Sequence, residues 1–323
     1  MAKNTATSTA KHESRRASGG AAKVCVAPDS GRFESLREAV EDAGGTLVPI
    51  EEAEALIWAD AANVAAMEEY LSQAPNLLWV QLPFAGIENF AHHLNPKYTW
   101  TCGKGVYARP VAEHALAMML GGMRNIIGYA RQTKWGRGVG INLFEANVTI
   151  LGGGEITREL IKLLQPFDTQ ITVVRRQPEP IAGVARTLRG ERLNEALIDA
   201  DVVVLALALT PETEGIIGAE ELALMPEHSW LVNVARGRHI DTDALVAALR
   251  ENKIGGAALD VTEPEPLPEG HALWSLPNCL ITPHTANTPA MGIPLLAERV
   301  RENVQRFASQ QPLLGEVFLE WGY

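Results

Sequence analysis

Short apolar runs alternate with helical patterns along almost the whole chain, and no other feature restricts the possible folds as strongly. Val24-Cys25-Val26-Ala27 leads into a helical pattern from Phe33 to Ala43, then a run from Thr46 to Val48, then Ala55-Leu56-Ile57-Trp58. This is the βαβ rhythm of a parallel sheet. A helix from Ala62 to Gln73 and strands from Leu77 to Gln81 and Tyr98 to Thr101 complete one lobe near Val106.

A second α/β series follows. Pro110 stands near the start of a long apolar helix, Val111 to Met123, as suits proline in a first turn. The strands read as Val148 to Leu151, Ile171 to Val174, Val202 to Leu207, Trp230 to Val234, Gly256 to Leu259 and Cys279 to Ile281. Helices fall between them, notably Glu155 to Leu164 and Asp241 to Asn252, the latter opening on an aspartate suited to cap it. A final amphipathic helix, Leu295 to Ser309, is expected to pack back on the first lobe.

At 323 residues the chain exceeds the usual size of a single core. The expected fold class is therefore α/β, with two doubly wound parallel-sheet (Rossmann/flavodoxin-like) domains separated by a cleft. Residues 22–107 with 288–323 form the substrate (catalytic) domain and 108–287 the dinucleotide-binding domain. Residues 1–21 read as a disordered tail, rich in Ala, Ser, Thr and basic residues and without the apolar stretch of a secretory signal, though their few basic residues also suit an organelle transit segment.

The formal net charge of −11 argues against nucleic acid or an anionic membrane as partner, so an acidic substrate needs a local positive site. No apolar run approaches the roughly 20 residues needed to span a bilayer. Cys25, Cys102 and Cys279 are odd in number and far apart, which fits a reducing cytoplasm better than a disulfide framework.

Val148-Thr149-Ile150-Leu151 runs directly into Gly152-Gly153-Gly154-Glu155-Ile156-Thr157 and then a helix, the context of a dinucleotide-binding turn. Gly152 permits the tight turn, Gly154 lets the backbone approach a pyrophosphate, and the amides of Glu155 and Ile156 at the helix start receive its charge. Thr157 stands where a third glycine is usual, so close helix–strand packing has to tolerate a side chain. The next strand ends in Arg175 and Arg176, where an NAD enzyme places an acid about 20 residues beyond the glycines. Guanidinium groups pair with a 2′-phosphate, so NADP(H) is expected over NAD(H).

Three strand-end segments carry reactive side chains: Asn233-Val234-Ala235-Arg236-Gly237, Asp260-Val261-Thr262-Glu263-Pro264-Glu265, and Thr282-Pro283-His284-Thr285. Ligands gather outside such ends, and Ala235 and Asp260 are counted there as cofactor-binding. The order Arg236, Glu265, His284 resembles the D-isomer-specific 2-hydroxyacid dehydrogenase family, from about Val24 to the C-terminus. The resemblance implies that Arg236 orients the substrate, His284 is the acid/base and Glu265 supports it. Chemistry agrees: ketone reduction needs a proton donor that recovers near neutrality, and a fixed cation for the developing alkoxide.

Leu82-Pro83-Phe84-Ala85-Gly86-Ile87-Glu88 resembles the family's substrate loop, in which the amides of Ala85, Gly86 and Ile87 form an anion nest. Trp58, Gln132, Trp135 and the closing Gly322-Tyr323 resemble positions of the glyoxylate/hydroxypyruvate reductase branch, although Trp58 and Trp135 fit plain core aromatics equally well. Ala112-Glu113-His114 and Leu209-Thr210-Pro211-Glu212-Thr213 match family patterns that look structural or cofactor-adjacent. His92-His93 and Ser229 have no metal-site or nucleophile context, so no metal is implied. The expectation is a cytoplasmic, homodimeric reductase of a small 2-oxo acid. The alternatives are a nucleotide-sensing corepressor-like protein and a phosphoglycerate-dehydrogenase-like enzyme.

Overall fold

The computed structural model describes residues 20–61 and 63–317. Residues 1–19 of the expected tail, and the closing Gly322-Tyr323, lie outside the described residues, while Gly20 and Ala21 have no regular secondary structure. The chain divides into two compact units, at Tyr107/Ala108 and again at Asn287/Thr288. Among the described residues no helix is long and apolar enough to cross a membrane.

In the first unit, strands β1 (Lys23–Ala27), β2 (Thr46–Leu47), β3 (Ala55–Trp58), β4 (Trp79–Gln81) and β5 (Thr99–Thr101) form a parallel sheet in the order β2-β1-β3-β4-β5. Every residue of β3 is buried, because helices cover both faces of the sheet and no polar face remains. On one face α1 (Glu34–Asp42) brings Leu36, Ala39 and Val40 against Leu296, Val300 and Val304 of the last helix, Pro289–Ala308. On the other, α2 (Val64–Ser72) inserts Met67 among Trp58, Val80 and Trp100.

The last helix starts at Pro289 rather than at the expected Leu295, and so contains Pro294. A proline in a helix interior costs about 3 kcal/mol, which argues for a start beyond it. Burial of Leu296, Val300 and Val304, each worth roughly 1.5–3 kcal/mol, outweighs that loss. Asn303 of the same helix donates to Gln81 Oε1 at 3.0 Å, and Thr101 donates to that oxygen at 2.8 Å. This buried polar cluster fixes the helix on the sheet with its hydrogen bonds satisfied.

The second unit holds a seven-stranded parallel sheet, β12-β11-β10-β9-β6-β7-β8, among the described residues. Its strands are β6 (Asn147–Leu151), β7 (Gln170–Val174), β8 (Arg186–Leu188), β9 (Val202–Leu205), β10 (Trp230–Asn233), β11 (Gly256–Leu259) and β12 (Cys279–Ile281). Strand β8 is an addition to the expected series: its three residues, Arg-Thr-Leu, bury only Leu188 and carry no apolar run. The register pairs Leu151 with Val174 and Leu205, Asn233 with Leu205 and Leu259, and Leu259 with Ile281. These strands therefore end at one level, and the segments that follow them share one edge of the sheet.

Helix α3 (Ala108–Met123) lies close on this sheet because it presents glycine to it. A Cβ on Gly122 would sit 2.3 Å from the Trp230 ring, and one on Gly121 would meet Leu280 at 3.4 Å. Helix α4 (Glu155–Leu164) packs Leu160, Ile161 and Leu164 into the same core as Ala115, Met118 and Met119 of α3.

Candidate active site

The glycine turn follows β6 directly. Gly152 has φ +110°, and a Cβ there would fall 2.2 Å from the Ala206 carbonyl oxygen, so neither the conformation nor the space admits a side chain. A Cβ on Gly154 would meet nothing, and among the described residues the N–H groups of Gly153, Gly154, Glu155 and Ile156 have no acceptor. Unpaired amides at the start of a helix, beside open space, fit a phosphate group. Thr157 is fully buried, and its hydroxyl donates to the Gly152 carbonyl at 2.9 Å. The side chain that replaces the third glycine thus ties the turn to the helix.

After β7, the Arg175 side chain lies along Gly153, whose ideal Cβ would be 2.8 Å from Arg175 Cδ. Arg176 is exposed. Both arginines therefore stand beside the turn or just past it, on the same sheet edge.

Arg236 follows β10 in a tightly pinned loop. Fully buried Asn233 accepts from Ala235 N at 3.0 Å and donates to the Arg236 carbonyl at 2.8 Å. Arg236 N–H donates to Nδ1 of fully buried His239 at 3.2 Å, and Arg236 Nη1 donates to the Ala235 carbonyl at 2.7 Å. The roles of Asn233 and His239 escape sequence reading, since a buried amide or imidazole looks the same there as an exposed one. Gly237 then lies against the next loop: a Cβ would be 2.0 Å from the Thr262 carbonyl.

Glu265 and His284 meet. Nδ1 of His284 lies 2.6 Å from Glu265 Oε1, and Thr262 N–H donates to the other carboxylate oxygen at 3.4 Å. With Nδ1 engaged by the carboxylate, Nε2 is the ring nitrogen left for chemistry. His284 adopts φ +51°, a left-handed conformation that costs a non-glycine residue on the order of 1–3 kcal/mol. Its N–H donates to the Asp260 and Thr282 carbonyls at 2.8 and 3.0 Å, bonds that hold this backbone in place.

Asp260, expected among the cofactor-binding residues, is buried with its carboxylate engaged by the protein. Thr282 Oγ1 donates to it at 2.6 Å, Thr285 N at 2.9 Å and Ala286 N at 3.1 Å, and His114 Nε2 lies 3.2 Å away. Burial alone would push this carboxyl up, but the hydrogen bonds from His114, Thr282 and the two amides outweigh it and hold the group at about 2.

In the first unit, the N–H groups of Ala85, Gly86 and Ile87 have no acceptor among the described residues. Phe84 beside them is exposed and packs edge-on against Tyr107, whose hydroxyl donates to the Pro83 carbonyl. The Trp58 ring is buried and packs edge-on against Tyr70, with Nε1 donating to the Asp60 carbonyl. Trp135 is fully exposed, which excludes the core reading for that residue, and Gln132 is exposed as well.

The family model for the D-isomer specific 2-hydroxyacid dehydrogenase NAD binding domain matches residues 116–286. A glyoxylate reductase of Aeropyrum pernix is 32% identical over 258 residues, covering 74% of this chain and 76% of its own. Glyoxylate/hydroxypyruvate reductase A of Photorhabdus laumondii is 29% identical over 266 residues, covering 81% and 79%. The crystal structure of a D-isomer specific 2-hydroxyacid dehydrogenase from Xanthobacter autotrophicus superposes with a TM-score of 0.80 at 27% identity, covering 94% of this chain and 100% of that one. The chain belongs to the D-isomer specific 2-hydroxyacid dehydrogenase family and is an oxidoreductase of its glyoxylate/hydroxypyruvate reductase-like branch.

Proposed function

We propose that this protein is an NADP(H)-preferring reductase that converts a small 2-oxo acid, of the glyoxylate or hydroxypyruvate kind, into the D-2-hydroxy acid. The observation that carries the reading is the 2.6 Å His284–Glu265 pair, with Arg236 on the end of the adjacent strand. When bound, the reduced nicotinamide supplies the hydride to the carbonyl carbon. His284, with Nδ1 committed to Glu265, gives a proton from Nε2 to the carbonyl oxygen and takes it back in the reverse direction. The guanidinium of Arg236 balances the negative charge that develops on that oxygen. The amides of Ala85, Gly86 and Ile87 take the substrate's carboxylate.

In this reading residues 22–107 with 288–323 are the substrate domain and 108–287 the dinucleotide-binding domain. Gly152, Gly154 and the amides of Glu155 and Ile156 hold the pyrophosphate, with Ala235 on the same sheet edge. Arg175 and Arg176 take the 2′-phosphate, a choice favoured by the NADPH in the Xanthobacter structure. Asp260 acts through the loop it holds rather than by touching the cofactor. The exposed apolar Ile126, Trp135, Val139 and Phe144 support a homodimer, and three buried, unbridged thiols suit a reducing cytoplasm.

Glyoxylate, hydroxypyruvate, pyruvate and phenylpyruvate, each assayed with NADPH and with NADH, test the reading. The two small polar acids with NADPH should give the highest kcat/KM, and Arg175→Asp with Arg176→Ala should reverse the cofactor preference. A protein that binds NADPH yet reduces none of the four acids is a cofactor-sensing binder instead. Unchanged Michaelis constants for both cofactors in the double variant would remove the NADP(H) assignment.

A further inference from the structure

Two turns before Gly121, on the face of α3 that those glycines draw against the sheet, stands His114. Its Nε2 lies 3.0 Å from Thr282 Oγ1 and 3.2 Å from Asp260 Oδ1. Thr282 spends its own hydroxyl proton on Asp260 at 2.6 Å, so the imidazole Nε2–H is the donor that completes the cluster. The Asp260 side chain is 1% exposed, and a carboxylate in that setting has to be met by donors on every side. Two of those donors are the amides of Thr285 and Ala286, directly beyond His284, and the Asp260 carbonyl also accepts from His284 N. One residue therefore grips the backbone on both sides of the left-handed His284, and His114 orients that residue from the helix.

We propose that His114 is a positioning residue: through Thr282 and Asp260 it fixes the backbone of the 282–286 loop, and so sets the imidazole of His284 against Glu265. The catalytic part of this role rests on the function proposed above, whereas the fixing of the loop does not. Misplacement of a reacting group by even an ångström costs on the order of a hundredfold in rate. Glutamine at position 114 can return an amide N–H to the place of Nε2. Leucine cannot.

The experiment compares the wild type with His114→Leu, His114→Gln and Thr282→Val in the full chain. Hydrogen–deuterium exchange over the 282–288 peptide reads the loop without reference to activity, and kcat and KM for glyoxylate with NADPH read its consequence. His114→Leu and Thr282→Val should speed exchange in that peptide and lower kcat roughly tenfold to a hundredfold, with KM for NADPH held within about twofold. His114→Gln should restore most of both. Exchange unchanged in His114→Leu, a kcat equal to wild type despite a loosened loop, or a His114→Gln variant as impaired as His114→Leu each overturns the proposal. If the wild type reduces no 2-oxo acid while exchange rises in His114→Leu and is restored in His114→Gln, the loop-fixing role is supported and the proposed function is what fails.

Discussion

Nδ1 of His284 lies 2.6 Å from Oε1 of Glu265, a side-chain contact between the segments that follow two neighbouring strands, β11 and β12. Both side chains remain about half exposed, so the pair adds little to stability and its value lies in orienting the ring. His284→Ala should lower kcat for 2-oxo acid reduction by roughly 10²- to 10⁴-fold while leaving the dissociation constant of NADPH unchanged. Glu265→Gln keeps an oxygen able to accept from Nδ1 and should lose less than Glu265→Ala. Steady-state kinetics beside fluorescence titration of the cofactor decide it; equal losses in cofactor binding and turnover would point to a damaged fold instead.

Gly237 is the point where the Arg236 loop touches the Glu265 loop through backbone alone. A methyl group there would lie 2.0 Å from the Thr262 carbonyl, against main chain that has no rotamer to yield. Gly237→Ala should therefore destabilise the protein by about 1–3 kcal/mol, seen as a lower urea midpoint, and should also weaken turnover by moving Arg236. Gly154→Ala, into open space, should leave the urea midpoint nearly unchanged. Equal midpoint shifts in the two variants would contradict the contact.

Much of this arrangement is legible in the sequence, for physical reasons that can be named. Strands β3, β11 and β12 have the bounds read from their apolar runs, because a strand covered on both faces shows itself as an unbroken run. Arg236, Glu265 and His284 stand just beyond strand ends because the runs and the loops after them are adjacent in sequence. For Trp58 the place at a strand end does not tell which face its ring takes, and its burial is seen only in the fold. The His114–Asp260 contact joins residues far apart in the chain, and neither Asn233 nor His239 carries a local signal of its pinning role. Such pairings exist only once the sheet has assembled.

The depressed carboxyl of Asp260 makes a prediction with a definite sign. Its folded value of about 2 lies below the roughly 3.9 of an unfolded aspartate, so its stabilisation is fully present above that range and is lost as pH falls through 2. The difference in unfolding free energy between wild type and Asp260→Asn should be flat from pH 8 down to about pH 5 and shrink only below about pH 4. Urea titrations at several pH values read it directly. A difference that changes near neutrality would mean that another group is titrating.

Burial pushes the thiol of Cys25 up to about 11, with the Glu51 carboxylate adding to the effect, and that of Cys279 up to about 12. Cys102 is raised as well, again chiefly by burial. The thiolate is the reactive form, so at pH 8 an aromatic disulfide reagent should find none of the three in the native protein and all three in denaturant. Fast labelling of any one before unfolding would show that its site opens.

The common level at which β6, β7, β9, β10, β11 and β12 stop has an evolutionary meaning. Each strand hands over to its loop after its final ladder pairing, so a lineage can rewrite Arg175, Arg236 or Glu265 without disturbing a single rung. Exchange of a side chain at these tips is thus limited by its loop contacts, such as that of Glu265 with His284, while the strands beneath answer to a separate constraint, that of staying packed.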